Sequence, residues 1–254
     1  MSSLPLLRPL SIGEILDRAL RLYRSQFVLL ISIPLVALVP VMALQVVSQL
    51  IWHTTQLIDL LQNAFVQLLV SSALVVAISH ADLTRHPTVG EAYQAAVQRY
   101  TSAWASSFLM GLAIGLPTAL LACGMIALAQ DAGIWLVILF VLPYAFFLGT
   151  RWSLMLPGIL LEHLGAQSGL GRSWALTEGA FWKVFGTSFL AGLLIIVLAT
   201  VPQLAIAYGL EMFVTNMDIV SLVETVLAQV SLIFTMPVSV GVTVVLYYDL
   251  RVRK

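Results

Sequence analysis

The fold class this sequence predicts is an all-α polytopic membrane protein with six transmembrane helices. Three observations predict it. The 254 residues are 60% hydrophobic and only 9% charged, whereas soluble domains carry roughly 25% charged residues, so a water-facing fold of this makeup would expose too much apolar surface. Six apolar stretches reach the ~20 helical residues needed to cross a hydrocarbon core. The basic residues gather at the two ends and in alternate connections, as they do in chains woven through a bilayer.

The chain opens with a charge-dense stretch, "SIGEILDRALRLYRSQF", Ser11 to Phe27. Ser11 and Glu14 have the spacing of a capping box, in which hydroxyl and carboxylate each satisfy a free amide at a helix start. Beyond the cap, Ile12, Ile15, Leu16, Ala19, Leu22 and Tyr23 share one helical face. Glu14, Asp17, Arg18, Arg21 and Arg24 occupy the other, with Glu14–Arg18 and Asp17–Arg21 spaced for i,i+4 pairing. Such a helix lies at the membrane interface with its arginines toward anionic headgroups, packs on the bundle, or does both.

The six spans are expected over residues 27–51, 57–81, 103–129, 133–161, 182–209 and 219–248. Pro34, Pro40, Pro117, Pro143, Pro157, Pro202 and Pro237 fall inside them and predict kinks, since neighbours in a bundle can satisfy the carbonyls that proline frees. The connections "HTTQLID", "AQDAG" and "YGLEMFVTNMD" hold no basic residue but carry Asp59, Asp131, Glu211 and Asp218. Arg8, Arg18, Arg21, Arg24, Arg85, Arg99, Arg151, Arg172, Lys183, Arg251, Arg253 and Lys254 all fall at the ends or in the other connections. Both termini are therefore expected in the cytoplasm, with the protein multi-pass in the inner membrane. The outward connections are too short for an external domain, and residues 1–254 read as a single membrane domain.

The opening stretch returns. "TVGEAYQAAVQRYTSAW", Thr88 to Trp104, repeats its cap, glycine, glutamate and trailing aromatic, and "SGLGRSWALTEGAFW", Ser168 to Trp182, is a weaker third copy. A period of about 77 residues, one amphipathic helix plus two spans, divides the chain into repeats of approximately 11–83, 88–162 and 168–250. An even number of spans per repeat gives every copy one orientation, as in parallel membrane duplications.

The four pieces "RPLSIGEILDRALRLYR", "RWSLMLPGILLE" with Arg151, Pro157 and Glu162, "GRSWALTEGAFWKVFG" with Arg172, Ser173, Trp174, Trp182 and Gly186, and "LYYDLRVRK" occur in this order. Together they resemble the membrane domain found in glycerophosphodiester phosphodiesterases and in many stand-alone bacterial membrane proteins, and the similarity runs along essentially the whole chain. The resemblance implies a six-span bacterial membrane protein. It implies no catalysis here, because the family's phosphodiesterase activity resides in a separate barrel domain with metal-binding carboxylates and two histidines, none of which has a counterpart in this sequence.

Direct reading for chemistry gives little. His53, His80, His86 and His163 are scattered without metal-ligand spacing, and no phosphate loop, dinucleotide fingerprint or nucleophile elbow occurs. No metal and no cofactor is expected. Zero formal net charge, with twelve basic and twelve acidic residues, argues against nucleic-acid binding. Cys123 is alone in an apolar run, so no intrachain disulfide forms.

Ionisable residues at membrane depth are the candidate functional positions. Glu224 lies near the start of the sixth span, either as a cation site or on a longer outer connection. Arg151 and Glu162 lie toward the inner end of the fourth span and are candidates for ionic clamps with Asp82, Asp249 or Arg172, with headgroup snorkelling the alternative for Arg151. Ser107, Gly111, Gly115, Ala119 and Cys123 recur every four residues in the third span, a small-residue stripe that permits close helix packing against another span or a partner.

The expected function is that of a non-enzymatic membrane component that organises partner proteins or lipids at the cytoplasmic face. The alternative is a small-solute or ion transporter with Glu224 in its path, a reading weakened by the shortage of polar residues to line one.

Overall fold

In the computed structural model, residues 10–82, 87–129, 135–214 and 216–253 are described. Helix α1 (Ile12–Ser25) leads into α2 (Phe27–Trp52). Helix α3 (Gln56–Leu61) runs through one π-helical turn, Gln62–Val66, into α4 (Gln67–Asp82). Helices α5 (Val89–Gln98) and α6 (Tyr100–Ala129) follow, and a π turn at Val137–Val141 opens α7 (Leu142–Trp152). Then come α8 (Met155–Leu161), α9 (Ala166–Thr177), α10 (Phe181–Ile195), a third π turn at Ile196–Thr200, α11 (Val201–Phe213) and α12 (Met217–Arg253). No strand occurs among the described residues.

Six stretches are long and apolar enough to cross a membrane: Phe27–Trp52, Gln56–His80, Tyr100–Ala127, Val137–Leu161, Phe181–Leu210 and Asp218–Arg253. They match the six expected spans to within a few residues. Arg8, Arg85, His86, Asp131 and Lys254 lie outside the described residues.

Helix α12 is the axis of the bundle. Of its most apolar window 61% is buried inside the molecule, against none in Tyr100–Ala127, which therefore lies at the periphery. Leu246, Tyr247 and Leu250 of α12 are fully buried with Ile15 and Ala19 of α1, Leu176 of α9 and Val184 of α10. A second cluster joins Leu30 and Ile33 of α2, Leu74 and Ile78 of α4, Ala92 and Ala96 of α5, and Val244 of α12. The remaining apolar side chains, such as Leu116, Leu120, Phe189 and Leu198, face outward, where a bilayer is as good a solvent as a core.

Both expected capping boxes form. Glu14 N donates to Ser11 Oγ at 3.3 Å while Ser11 N donates to Glu14 at 2.7 Å, and Thr88 and Glu91 repeat this at 3.3 and 2.8 Å. Helix α9, the region of the third copy, starts at Gly165 with no side-chain cap, because a glycine offers no acceptor. Along α1, Ile15 and Ala19 are buried while Asp17, Arg21 and Arg24 are exposed, so the expected apolar face is the one that docks.

Pro34 and Pro40 of α2 and Pro237 of α12 lie inside unbroken helices, and the other four prolines are accommodated in three ways. In α6, Pro117 cannot donate to the carbonyl of Ala113, and Tyr144 Oη of α7 donates to it instead at 3.0 Å. Pro143 and Pro202 each follow a π turn by two residues, where a widened turn removes the clash of the ring with the preceding turn. Pro157 cannot bond to Ser153, and the fourth span breaks there into α7 and α8. The break is repaired from α9: Leu154 N donates to Ser173 Oγ at 3.1 Å, and Ser173 Oγ donates to the Arg151 carbonyl at 2.7 Å.

Helix α9 comes close enough to α8 for these bonds because Gly169 has no side chain. A Cβ placed there would sit 2.4 Å from Ile159 Cγ1. Gly169→Ala is thus expected to destabilise the fold by about 1–3 kcal/mol through overpacking. The thermal midpoint in detergent should fall by several degrees, whereas Gly171→Ala, whose Cβ would meet nothing within 4 Å, should not lower it and should raise it slightly, because alanine is the better helix former. Tyr144→Phe should cost about 1 kcal/mol, the net worth of one hydrogen bond, in the same assay.

Candidate functional site

The two faces of the bundle carry different chemistry. On the face where both described ends meet, charge is concentrated and paired. Asp249 of α12 has only 1% of its side chain exposed. It accepts a hydrogen bond from Leu10 N at 2.6 Å, one from Lys183 Nζ of α10, and one from Arg253 Nε at 3.1 Å. Lys183 also donates to the Leu10 carbonyl at 2.6 Å. One carboxylate thereby ties the start of α1 to α10 and to the end of α12.

Glu162, at the end of α8, is the centre of a second cluster. Arg172 of α9 grips it with Nε and Nη2, both at 2.9 Å, Tyr247 Oη donates to it at 2.5 Å, and Arg251 Nε stands 3.6 Å away. Partial burial pushes the Glu162 carboxyl up, but the hydrogen bonds from Arg172 and Tyr247 and the charges of Arg172 and Arg251 outweigh it, and the group is held below its ordinary value of 4.5. The Arg172 guanidinium is raised, first by its bonds to Glu162 and against its own desolvation. The expected Glu162–Arg172 clamp is therefore present, at the end of a span rather than within the membrane.

Arg151 is different: among the described residues no carboxylate forms an ion pair with it, and the side chain of Asp82 lies outside them. Its guanidinium lies 4.8 Å from the Trp174 ring, 5.3 Å from Phe147 and 5.6 Å from Phe181. Nε and Nη1 are buried without a hydrogen-bond partner. With its carbonyl bonded to Ser173 of α9, Arg151 stands against the rings of Phe147, Trp174 and Phe181, and cation–π attraction holds it there. Glu224, Arg151 and Glu162 accordingly occupy three separate places and form no common site.

The small-residue stripe is corrected as an internal packing surface. Gly111, Gly115, Ala119 and Cys123 are exposed, and a Cβ added at Gly111 or Gly115 would meet nothing within 4 Å. Ser107, which is partly buried, and Gly111 line a groove beside the second span. The third span is peripheral, with none of its most apolar window buried against 61% in α12.

On the opposite face lies a polar network that sequence reasoning missed. Gln45 of α2, Gln62 on the first π turn and Gln229 of α12 are all buried. Gln45 Nε2 donates to Asp59 at 2.6 Å and to Gln62 Oε1 at 3.0 Å, and Gln229 Nε2 donates to Gln62 Oε1 at 3.0 Å. Thr55 donates to Asp59 at 2.7 Å. The signal was present, since three glutamines inside apolar runs are as conspicuous as a charge, but their convergence depends on the π turn, which rotates Gln62 inward. Glu224 lines the same region with Asp59 and Gln203.

A family model described as the membrane domain of glycerophosphoryl diester phosphodiesterase matches residues 126–254. The chain belongs to this family. Arg151, Glu162, Arg172, Lys183, Tyr247 and Asp249 all lie within the matched residues, so the membrane domain contains both charged clusters and the aromatic box. The opening stretch, α1 to α5 and nearly all of α6 lie outside the match. No curated protein and no solved structure matches.

Glu162 stabilises the fold with a lowered pKa, so its contribution is complete above 4.5 and is lost as pH falls through the lower folded value. The thermal midpoint of the wild type should decline through that acid window, and the decline should be shallower in Glu162→Gln. Asp249→Asn removes a nearly unexposed charge from its partners and should cost about 3–5 kcal/mol, read as a large loss of midpoint at pH 7.

Proposed function

We propose that this chain is a non-enzymatic component of the cytoplasmic membrane and that its basic face, turned to the cytoplasm, organises anionic lipid headgroups. Arg151 is the observation that carries this reading. A guanidinium fixed on three rings, with Nε and Nη1 buried and no carboxylate among its described partners, carries a charge that no described acid neutralises and that leaves Nη2 to meet an anion from outside the protein. Asp249 and Glu162, by contrast, are saturated by their own cations.

The surroundings suit an interface. Trp182 is exposed, and Trp152 packs on Trp174, one of the three rings around Arg151, and such indole groups favour headgroup depth. Arg24 of α1 adds exposed positive charge on the same face, while Arg21 is paired with Asp17, and each basic group near an anionic leaflet contributes about 1 kcal/mol. The ionic clusters hold α1, α9 and the end of α12 as a rigid layer, so the cations are presented in fixed positions. Among the described residues no group of three or more histidines, cysteines or acids is placed to hold a metal ion, and the reading requires none.

Titration of the detergent-solubilised protein with phosphatidylglycerol should raise its thermal midpoint by several degrees, in line with stabilisation of about 2.7 kcal/mol at a hundredfold excess over Kd. Phosphatidylcholine should do so far less, and Arg151→Gln should lose most of the difference. Equal stabilisation by the two lipids would overturn the proposal. In a Cys123→Ala background, Thr55→Cys should react with an impermeant thiol reagent from outside intact cells; labelling only after lysis would reverse the orientation.

A further inference from the structure

We infer that the face opposite the chain ends carries a binding cleft for a primary ammonium group, in which Asp59, Glu224 and the side-chain carbonyl of Gln45 are the acceptors. The cleft lies between α2, α3, α11 and α12 and has a volume of about 400 Å³. Four observations lead to this occupant.

The first is an orphan acceptor. Gln45 lines the cleft and is 98% buried, with 2% relative exposure, yet its Oε1 has no hydrogen-bond donor. The amide cannot be turned round to cure this, because Nε2 already donates to the Asp59 carboxylate and to Gln62 Oε1, and a flip would set oxygen against both. An unmatched buried carbonyl is costly, and a donor brought by a ligand removes the cost.

The second is charge. Asp59 and Glu224 both line the cleft, and no ion pair joins either to a basic side chain among the described residues. Asp59 accepts only from neutral donors, Gln45 Nε2 and Thr55 Oγ1. Two carboxylates without a cation favour a positively charged guest.

The third is rigidity. Gln62 on its π turn bonds to both Gln45 and Gln229, with Gln62 Nε2 donating to Gln229 Oε1 at 3.2 Å. Gln45 and Asp59 are therefore held in place before a ligand arrives, which lowers the ordering cost of binding.

The fourth is size. A water occupies about 30 Å³ of liquid, so the cleft exceeds what a bare metal ion needs and falls in the range of small organic ligands, roughly 300–1,000 Å³. Leu204 and Ala207 supply an apolar wall. A compact cation with three N–H donors and a short carbon body fits this combination, whether it is a free amine or the headgroup of an ethanolamine lipid. Glu224, an ambiguous residue in the sequence, thus has a partner in Asp59, 165 positions earlier.

The test uses the full chain purified in detergent and titrated calorimetrically with ethanolamine, with ethylene glycol as an uncharged match in size. Saturable binding of ethanolamine and none of the glycol is expected. Glu224→Gln should weaken binding about tenfold or more, the loss expected for one charged hydrogen bond, with an unchanged thermal midpoint. Leu204→Trp, which fills the cleft from its apolar side without touching the glutamine network, should abolish it. Native mass spectrometry distinguishes the source: a retained phosphatidylethanolamine that ethanolamine displaces marks a lipid headgroup, and an empty protein that takes up ethanolamine marks a free amine. Equal binding by Glu224→Gln, equal binding of the glycol, or no ammonium bound in either experiment would overturn the inference. None of these outcomes depends on Arg151 or on anionic lipid.

Discussion

A carboxylate with almost no access to solvent holds this molecule closed. Asp249 receives Leu10 N, Lys183 and Arg253, and without these donors a buried charge would be too costly to keep. Meeting that demand requires the start of α1, the first turn of α10 and the last turns of α12 to converge at one point. Once they do, Ile15 and Ala19 are carried onto Leu246 and Leu250, and the amphipathic lead-in becomes part of the bundle. The same logic acts a few residues away, where Glu162 gathers α8, α9 and α12 through Arg172, Tyr247 and Arg251.

The spans themselves are fixed less by apolar attraction, since lipid is as apolar as leucine, than by the need to satisfy polar groups away from water. Tyr144 answers the carbonyl that Pro117 frees, and Ser173 bridges the break before Pro157. The π turns before Pro143 and Pro202 spare the helix a clash. The π turn at Gln62–Val66 has no proline and instead turns Gln62 toward Gln45 and Gln229. A distortion that elsewhere accommodates a ring here assembles a polar network.

The protein is consequently two-faced. At one end the cations outnumber what the buried acids consume, and Arg151 rests on aromatic rings. At the other, Asp59 and Glu224 have no basic partner among the described residues. The exposed small residues of α6 and the outward leucines belong to the flank between them, beside the contacts that α6 makes with α4 and α7.

Composition and charge placement alone determined the class, the six spans and the grouping of both ends on one face, because burial in lipid imposes a length and a polarity on every span. The capping boxes at Ser11 and Thr88 were equally legible, since a cap is completed within four residues. Local signals could not say which span would become the axis, that Arg151 would meet rings while Glu162 met Arg172, or that Glu224 would share a cleft with Asp59 and Gln45. Those outcomes were decided by the tertiary structure, because they join residues as far apart as Leu10 and Asp249, and a polar group's partner depends on which helix faces bring donors within about 3 Å.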